Sequence, residues 1–483
     1  MPRGACLFIL TVSLLTAHQV GISQAGDFSR KQLFLEAATS THPDSDLSSK
    51  TWVEAFDELN AQMSREYPFT EWKGVNWTAL YAKYRPRIAA AQANHDSKAY
   101  YLSLREYVYS IPDGHVRLRG DDPKAMLAGF IGGGYGLALT RLDDGHVIAH
   151  IILPDGAAER AGIRFGAEIK RWGGQPIAKA LERVPLWFDD KPPATRETQR
   201  LEQCRYLVRA PIGTKTQVTF KNRGQHKEQT VTLTAADDNL ETLSRTNLYA
   251  TPEERRVPVK FDILPGGYGY IKVTTFPSPQ FAPVYDQFKA AIQTFVDKKV
   301  TAVILDLRHN GGGDDEVTAK IAGFFYTQRK FYYAAAIAGT GLKQFKINPA
   351  ENVWIEPQLP HFAGRVLAMV SAGTVSNGEG LALAIQQLPQ GDVIGFHASN
   401  GAYGETGGSV KMPLGYLVLY PNGRGLDENG NILLESDGKG RGGVVPDLRL
   451  RQTAETIDAN FNQGRDVELE FALRTLSEQL KNR

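Results

Sequence analysis

The sequence predicts a multidomain protein of mixed class, with α+β and α/β parts. Its 483 residues are more than one hydrophobic core can serve, so about two or three domains are expected. Apolar residues spaced at three and four from about residue 51 to 110 predict a helical N-terminal region. Short apolar runs that alternate with helical stretches after about residue 255 predict an α/β core. Strand-like runs between these two regions predict a small β-rich domain.

The N-terminus reads MPRGACLFILTVSLLTAHQVGISQAGDF and predicts a cleavable secretory signal over residues 1–25. Arg3 precedes an apolar run, and Ser23 and Ala25 have the small-residue spacing of a cleavage site, with the cut expected after Ala25. The run is shorter than the ~20 residues that a membrane span needs. We therefore expect an exported protein, periplasmic or extracellular, without stable membrane insertion.

The composition excludes several classes of function. The formal net charge is +2 and no basic tract stands out, so no nucleic-acid partner is expected. Cleavage of the signal would leave Cys204 as the only cysteine, which rules out an intramolecular disulfide. No CxxC or HExxH motif is present, and we expect neither a metal nor an organic cofactor.

The helical N-terminal region, residues 26–128, contains one abrupt break. The stretch SIPDGHVRLRG ends the helical pattern at Pro112, Asp113 and Gly114, and His115 follows directly. The alternation in HVRLRG predicts that the chain leaves this turn as a strand.

The β-rich domain is predicted for residues 129–240. Its expected strands are GLALTRL, HVIAHIIL, AEIKRWGG, TQVTFKN and QTVTLTA, with Gly162 as the C-cap of a short helix between the second and third. Residues 183–203 are charged and rich in proline, and we interpret them as a surface insertion.

The α/β core is predicted for residues 241–455 and a C-terminal helix for residues 456–483. Within the core, AVILDLRHNGGGDD places Gly311, Gly312 and Gly313 at the end of a buried strand. Successive glycines permit close backbone approach and suit a nest of N–H donors aimed at an anion, such as an oxyanion hole. A plain glycine turn is the competing interpretation.

The stretch LAMVSAGTVSNGEGLALAIQQLP, residues 367–389, reads as a buried strand, a turn and a helix. Ser376 stands at the turn, close to the unpaired N–H groups of the helix N-terminus, as a nucleophile could. Ser376 and Glu379 equally fit the S-x-x-E capping box. Thr374 stands where a G-x-S-x-G elbow needs its first glycine, so that motif is not matched.

A serine nucleophile needs a base to accept its proton. His115 is the best placed histidine because it lies on a glycine-containing turn at an element boundary. His309, beside the glycine nest, and His397, after a predicted strand, are the other candidates. Sequence spacing alone leaves this choice open.

Taken together, these motifs resemble the tail-specific, C-terminal-processing serine peptidase family. The resemblance rests on DLRHNGGG followed by TVSNGE, with a small glycine-rich β domain before them. That domain is similar to a PDZ domain, because GAAERAGIRFGAEIKRWGGQPI matches a characteristic PDZ segment. GYGLAL, with Gly134, Tyr135, Gly136 and Leu137, resembles the carboxylate-binding loop. The family implies a crotonase-like core of layered ββα units.

The family has a Ser–Lys branch and a tricorn-core-like Ser–His branch. Gly401 or Gly407 falls where the dyad lysine should be, and the turn at residues 113–115 resembles the Ser–His branch. The resemblance implies Ser376 as nucleophile and His115 as general base.

Oxyanion donors are implied for the backbone of Gly312, or its neighbour Gly311, and of Asn377. The orienting acid is implied to be Glu435, with Glu405 as the alternative, while Glu379 caps its helix. The tricorn pattern has a serine before the histidine, and Gly114 stands there in this sequence.

The resulting hypothesis is an exported serine endopeptidase that needs no cofactor. It would cleave unfolded polypeptides, or polypeptides bound by their C-terminus through strand addition at the PDZ-like domain. The alternatives are a non-catalytic peptide- or ligand-binding protein on the same scaffold, and an esterase. Loss of Ser376 separates the binding protein from both enzymes.

Overall fold

The computed structural model describes residues 45–120, 123–189, 191–338 and 345–481. The expected signal peptide, residues 1–25, lies outside the described residues. The helices predicted after residue 51 are present and are followed by the predicted strand, Arg117–Arg119. These helices are Trp52–Glu66, Thr70–Lys73, Trp77–Ala93 and Ser97–Val108. A further helix, Pro123–Ile131, leads to the β-rich region.

The N-terminal helices bury their apolar faces on a largely antiparallel sheet. Phe56 and Leu104 of the helices share one apolar cluster with Val410, Val418 and Tyr420 of the sheet. Its two long strands, Lys330–Ala338 and Leu417–Leu426, were not predicted from the sequence. The strands of this sheet are Ser45–Asp46, Arg117–Arg119, Lys330–Ala338, Phe345–Ile347, Val353–Ile355, Glu405–Lys411 and Leu417–Leu426.

A mainly parallel sheet forms the centre of the α/β core, as predicted. Its order is Val259–Leu264, Tyr268–Val273, Ala302–Asp306, Arg365–Met369, Gly391–Gly395 and Leu448–Arg449, and only the first strand runs antiparallel to its neighbour.

Both faces of this sheet are covered, because successive side chains of a strand point to opposite faces. Val303 and Leu305 join the cluster with helices Val284–Asp297, Asp315–Ala322 and Asn377–Gln386. Ala302 and Ile304 meet the C-terminal helix, Val467–Lys481, on the other face. That helix lies within the predicted 456–483 and follows a short helical turn, Ala454–Ile457. Burial on both faces explains the continuous apolar runs in the sequence.

The sheet brings the two candidate catalytic loops together. Strands Ala302–Asp306 and Arg365–Met369 are parallel neighbours, with Asp306 paired to Met369. The glycine loop leaves the first strand and the serine turn leaves the second at the same edge of the sheet. Carboxyl-end loops at such an edge are where α/β folds bind ligands.

The five strands predicted for the β-rich region are all present. They are Leu137–Arg141, Val147–Ile152, Glu168–Trp172, Lys215–Lys221 and Gln229–Thr234. Gly162 follows the short helix Ala157–Arg160 with φ +86°. Three two-residue strands, Gly133–Gly134, Arg209–Ala210 and Ala236–Asp237, form a separate small sheet.

The interpretation of residues 183–203 as a surface insertion was wrong. The segment contains most of the helix Arg196–Leu207, and residues 191–195 are all buried. The Arg105 guanidinium, itself 2% exposed, holds the start of the segment by donating to the carbonyl oxygens of Trp187 and Asp189. Prolines 192 and 193 therefore belong to a packed interior segment.

Candidate active site

Ser376 occupies the sharp turn between strand Arg365–Met369 and helix Asn377–Gln386. Its backbone has φ 56° and ψ −129°, and the N–H of Gly378 donates to Val375 O at 3.0 Å to close the turn. A serine with positive φ is strained, and such strain persists where the surroundings impose it, often at functional sites. From residue 372 to 382, Ser376 alone is not buried. The turn therefore presents its side chain outward.

Glu379 binds far more than the end of its helix. Its Oε2 accepts the backbone N–H of Ser376 at 3.0 Å and that of Ala402 at 3.1 Å. Its Oε1 accepts the Ser399 hydroxyl and the Gly401 N–H, both at 2.7 Å. Burial raises the pKa of Glu379 to about 8, while these hydrogen bonds act in the opposite direction. Four donors fill the acceptor capacity of one carboxylate, which favours its ionised form.

The glycine loop lies directly against the serine turn. Gly312 has φ +82°, and a Cβ atom placed on it would lie 2.6 Å from the Cβ of Ser376. The N–H of Gly312 donates to the Asn310 side-chain oxygen at 2.8 Å, and the N–H of Gly311 to Thr274 O at 3.0 Å. Both predicted oxyanion donors from this loop therefore already have acceptors in this structure.

Asn377 begins the helix, and its N–H has no acceptor within the helix, as is general for first-turn residues. A Cβ atom on Gly312 would lie 3.0 Å from this nitrogen, so the Asn377 N–H borders the glycine loop. The buried side chain is fixed: its Nδ2 donates to Gly313 O at 2.7 Å and to Asp315, and its Oδ1 accepts from the Tyr332 hydroxyl at 3.0 Å.

The turn that carries His115 packs on the loop that holds Ser376. A Cβ atom on Gly114 would lie 2.6 Å from Oδ1 of Asn400 and 3.0 Å from the Cβ of Ala402. The carbonyl of Ala402 accepts the Ser376 N–H at 3.1 Å. The turn of His115 and the turn of Ser376, 261 positions apart in the sequence, are thus linked through the loop that contains Asn400 and Ala402.

His115 is 7% exposed, and its backbone N–H donates to Asp113 Oδ1 at 2.8 Å. Burial lowers the pKa of its imidazole to about 4, and the nearby cations Arg117, Lys191 and Lys73 act in the same direction. Asp113 acts in the opposite direction. Its imidazole is therefore neutral at pH 7.

Glu435 lies near this turn but is engaged by a lysine. Its Oε1 lies 2.6 Å from Nζ of Lys73, and its Oε2 accepts the Tyr403 N–H at 2.7 Å. Lys73 also donates to Ser436 Oγ at 2.9 Å and to Pro112 O at 2.8 Å. The sequence analysis did not single out Lys73, because a lone lysine at a helix end gives no signal of a buried ionic role.

Glu405, the alternative acid, lies on the other side of Ser376. Burial raises its pKa to about 8, with a further rise from the neighbouring Asp315, and its hydrogen-bond partner is Tyr333. Asp315 in turn accepts from the Asn377 side chain. Glu405 therefore belongs to the surroundings of Asn377 rather than to those of His115.

The positions that would serve a Ser–Lys dyad have no room for a lysine. A Cβ atom on Gly401 would lie 2.8 Å from the Thr195 side chain, and one on Gly407 would lie 2.5 Å from the Asn422 side chain. Lys411 is exposed in strand Glu405–Lys411. These contacts favour a histidine base.

The other candidate histidines have different partners. His397 Nδ1 lies 2.5 Å from Glu197 Oε1, which ties the end of a core strand to helix Arg196–Leu207. His309 has φ 67°, and its backbone N–H donates to Ser371 Oγ at 3.2 Å.

The loop of Gly134, Tyr135, Gly136 and Leu137 precedes an edge strand. Strand Leu137–Arg141 ends the order of its sheet. The carbonyl of Tyr135 accepts the Ala158 N–H at 3.0 Å, and that of Gly136 accepts the Leu153 N–H at 2.9 Å.

A buried ion pair adjoins this loop at Gly134. A Cβ atom on Gly134 would contact both Arg209 and Asp238, and Arg209 Nη1 lies 2.6 Å from Asp238 Oδ2. The cation beside the loop is therefore already neutralised by a carboxylate of the chain itself.

Two kinds of feature are absent from the part of the chain that the structure describes. No group of three or more His, Cys, Asp and Glu side chains there could hold a metal ion. Of the helices in the same ranges, none is both long and apolar enough to cross a membrane.

Two family models match parts of this chain. Residues 267–450 match the family model of peptidase family S41, and residues 48–98 match that of the tricorn protease C1 domain. Over residues 267–450 the chain is thus similar to peptidase family S41. The family is one of serine proteases, and the matched segment contains the glycine loop, Ser376 and Glu435.

One curated relative and two solved structures are similar to this chain. Carboxyl-terminal-processing peptidase 2, chloroplastic, of Arabidopsis thaliana is 23% identical over 354 residues, which cover 70% of this chain and 59% of the relative. The chain thus spans under two thirds of that relative.

Mature CPAF complexed with lactacystin is 12% identical, covers 90% of this chain and 99% of its own, and has a TM-score of 0.61. A putative peptidase from Parabacteroides merdae is 17% identical, covers 89% and 97%, and has a TM-score of 0.51. At these identities, the two structures establish the fold.

Alanine at Gly312 should disrupt the site, whereas alanine at Gly311 should not. The first substitution forces a Cβ atom into Ser376 at a positive φ and should lower the free energy of unfolding by about 2–4 kcal/mol. A Cβ atom on Gly311 meets nothing within 4 Å, so its effect should stay within about 0.5 kcal/mol. Urea unfolding of both variants measures this, and equal losses would contradict the close packing of Gly312 on Ser376.

Replacing Glu379 with glutamine should cost about 2–4 kcal/mol of unfolding free energy, because the amide NH₂ would face N–H donors and leave buried groups unpaired. Glu316→Gln is the matched control, since the Glu316 side chain is 80% exposed. Denaturant unfolding compares the two. A Glu379→Gln variant as stable as the control would show that the four hydrogen bonds contribute little.

Proposed function

We propose that this chain is a serine endopeptidase in which Ser376 is the nucleophile and His115 the general base. The observation that carries the proposal is the convergence of three loops. Gly312 packs on Ser376, Ala402 accepts the Ser376 N–H, and Gly114 beside His115 packs on Ala402. A helix cap alone would need none of these contacts.

Acylation begins with attack of the Ser376 hydroxyl on the scissile carbonyl. The strained turn holds the side chain outward from an otherwise buried segment, so it is presented to substrate. The bond from serine to the carbonyl carbon forms as the amine leaves, and water then hydrolyses the acyl-enzyme.

The developing oxyanion is stabilised by backbone N–H groups at the helix N-terminus. The Asn377 N–H is available there, and a well-aimed donor is worth about 3 kcal/mol. The Gly312 N–H can contribute once it exchanges its hydrogen bond to the Asn310 side chain for one to the substrate. The Gly311 N–H would likewise have to release the carbonyl oxygen of Thr274.

His115 takes the proton from Ser376 and returns it to the leaving amine. Its imidazole is suited to the first step, because burial keeps it neutral and able to accept a proton. Nδ1 of His115 has no hydrogen-bond partner among the described residues, so neither Glu435 nor Glu405 bonds to it there.

The substrates we propose are polypeptides, unfolded or bound by their C-terminus. Strand Leu137–Arg141 ends its sheet, which supports strand addition by an extended peptide at a PDZ-like domain. The curated relative is named as a carboxyl-terminal-processing peptidase, which agrees with this choice. Export to the periplasm or cell exterior is part of the proposal and rests on residues 1–25.

Cleavage of an unfolded protein by residues 26–483 tests the enzyme. Ser376→Ala and His115→Ala should each reduce the rate at least about 100-fold, because each removes a participant in the chemistry. His226→Ala, at an exposed position, is the control. Labelling by a serine-directed fluorophosphonate should be lost with Ser376.

If Ser376→Ala cleaves as fast as the parent chain, the nucleophile is misassigned. If the parent chain cleaves nothing and takes no label, the binding-protein alternative is favoured. Retained turnover of short esters with no cleavage of peptides would indicate an esterase.

The acid limb of the activity profile should lie near pH 4. Protonation of His115 abolishes its role as base, and its pKa is lowered from the usual value to about 4. The parent chain should therefore keep full kcat/KM from pH 7 down to about pH 5 and lose it below.

A pH series with a peptide that lacks titratable groups measures this limb. An unperturbed histidine would instead give a midpoint near 6.5. A midpoint at 6 or above would show that the acting base is not the buried imidazole of His115.

A further inference from the structure

The imidazole of His115 lacks a visible orienting partner. Its Nδ1 is buried and makes no hydrogen bond within the described residues. A histidine base needs its second ring nitrogen held by an acceptor, which fixes the tautomer that can accept a proton at the other nitrogen.

The nearby carboxylates are committed elsewhere. Asp113 uses Oδ1 for the backbone N–H of His115 and Oδ2 for the Tyr67 hydroxyl, at 2.8 and 2.7 Å. Glu435 is held by Lys73 and by the N–H of Tyr403. These two carboxylates therefore bind other groups and do not bond to the imidazole.

Two buried acceptors in this neighbourhood have no hydrogen-bond partner among the described residues: Oε1 of Glu435, which is ion-paired with Lys73, and Oδ1 of Asn400. Asn400 is 1% exposed, and its Oδ1 has no hydrogen-bond partner among the described residues. Its Nδ2 donates to Ala372 O at 3.0 Å and its backbone N–H to Thr374 O at 2.9 Å. These bonds fix which end of the amide is oxygen, and that oxygen lies 2.6 Å from the Cβ position of Gly114.

We propose that Asn400 is the positioning residue of the catalytic histidine. Asn400 Oδ1 and His115 Nδ1 both lack a hydrogen-bond partner among the described residues. In the catalytically competent arrangement, Oδ1 accepts the Nδ1–H of neutral His115, which leaves Nε2 free to take the proton of Ser376. The proposal rests on the proposed function, since it assigns the orienting group of the same site.

The proposal also explains Gly114. The tricorn-like pattern has a serine at this position, but here its side chain would collide with Asn400. The amide oxygen of Asn400 lies 2.6 Å from where the Cβ atom of a serine at position 114 would stand, so the two arrangements exclude each other. In this chain the polar atom beside His115 is thus the amide oxygen of Asn400, whereas in the tricorn-like pattern it is a serine hydroxyl at position 114.

An amide orients the imidazole without adding a negative charge. The charged groups that face His115 are Asp113, Arg117, Lys191 and Lys73. A carboxylate at position 400 would add an anion within hydrogen-bond reach, and such a neighbour raises a histidine pKa by about 1–3 units.

The first experiment is NMR titration of the His115 ring in the Ser376→Ala background, which needs no activity. Asn400→Asp should raise the His115 pKa by at least one unit, while Asn222→Ala should leave it unchanged. Asn222 is a matched control because it is a buried asparagine that bonds Gly162 and Arg164 in the β-rich region. An unchanged pKa in Asn400→Asp would overturn the proposal.

The second experiment is a double-mutant cycle on cleavage. Asn400→Ala should lower kcat by about 10²–10⁴-fold, the usual contribution of a general base, with little change in KM. Gly114→Ser should also be harmful alone, but should restore at least ten-fold of the lost kcat when combined with Asn400→Ala. Additive losses, or an Asn400→Ala variant with parental kcat and pH profile, would overturn the proposal.

The two experiments separate the inference from the proposed function. If the parent chain cleaves while Asn400→Ala is unimpaired, only the role of Asn400 fails. If the parent chain neither cleaves nor takes the fluorophosphonate label, the peptidase proposal fails, and the NMR result still decides whether Asn400 faces His115.

Discussion

The arrangement of the site depends on one buried carboxylate. Glu379 accepts hydrogen bonds from the serine turn on one side and from residues 399–402 on the other. Three backbone N–H groups and the Ser399 hydroxyl bond to this one side chain, which fixes the two loops relative to each other. The Gly114 turn then rests on the loop that Glu379 holds. Removing the Glu379 side chain would release the Ser376 turn, residues 399–402 and the His115 turn together.

A second ionic group supports the other side of the site. Lys73 contacts Glu435 directly and lies 3.8 Å from Asp113, and these three side chains are almost entirely buried. Such pairs add little net stability but strongly penalise any arrangement that leaves one partner alone. They connect the N-terminal helices to the turn of His115 and to the loop at residues 435–436. The N-terminal region is therefore part of the site's construction.

The local pattern predicted the regular elements of the core well. Continuous apolar runs gave the parallel strands, because burial on both faces removes alternation, and the glycines marked the close approach at Gly312. The turn at residues 113–115 was also evident from its breaker residues. Each of these features is determined by residues that are close together in the sequence.

The remaining features depend on contacts between distant parts of the chain. Lys73 and Asn400 have no local motif, since their contacts lie well outside their own stretch of sequence: Lys73 pairs with Glu435, and Asn400 bonds Ala372 and lies beside Gly114. The long strands Lys330–Ala338 and Leu417–Leu426 were not predicted. They pair with each other across a long stretch of sequence, as well as with the neighbouring strands Phe345–Ile347 and Glu405–Lys411. Residues 183–203 look like a solvent-facing loop by composition, but residues 191–195 are buried, and the buried Glu202 pairs with Arg205.

The buried segment at residues 191–195 places the β-rich region against the turn of Ser376. Ala194 packs with Val375 and Ala402, and Nζ of Lys191 lies 3.8 Å from the centroid of the Tyr249 ring. The β-rich region and the candidate active site thus share a piece of chain. Exchanging residues 129–240 for another domain would remove part of the lining of the candidate site, so these two regions can diversify in this protein only together.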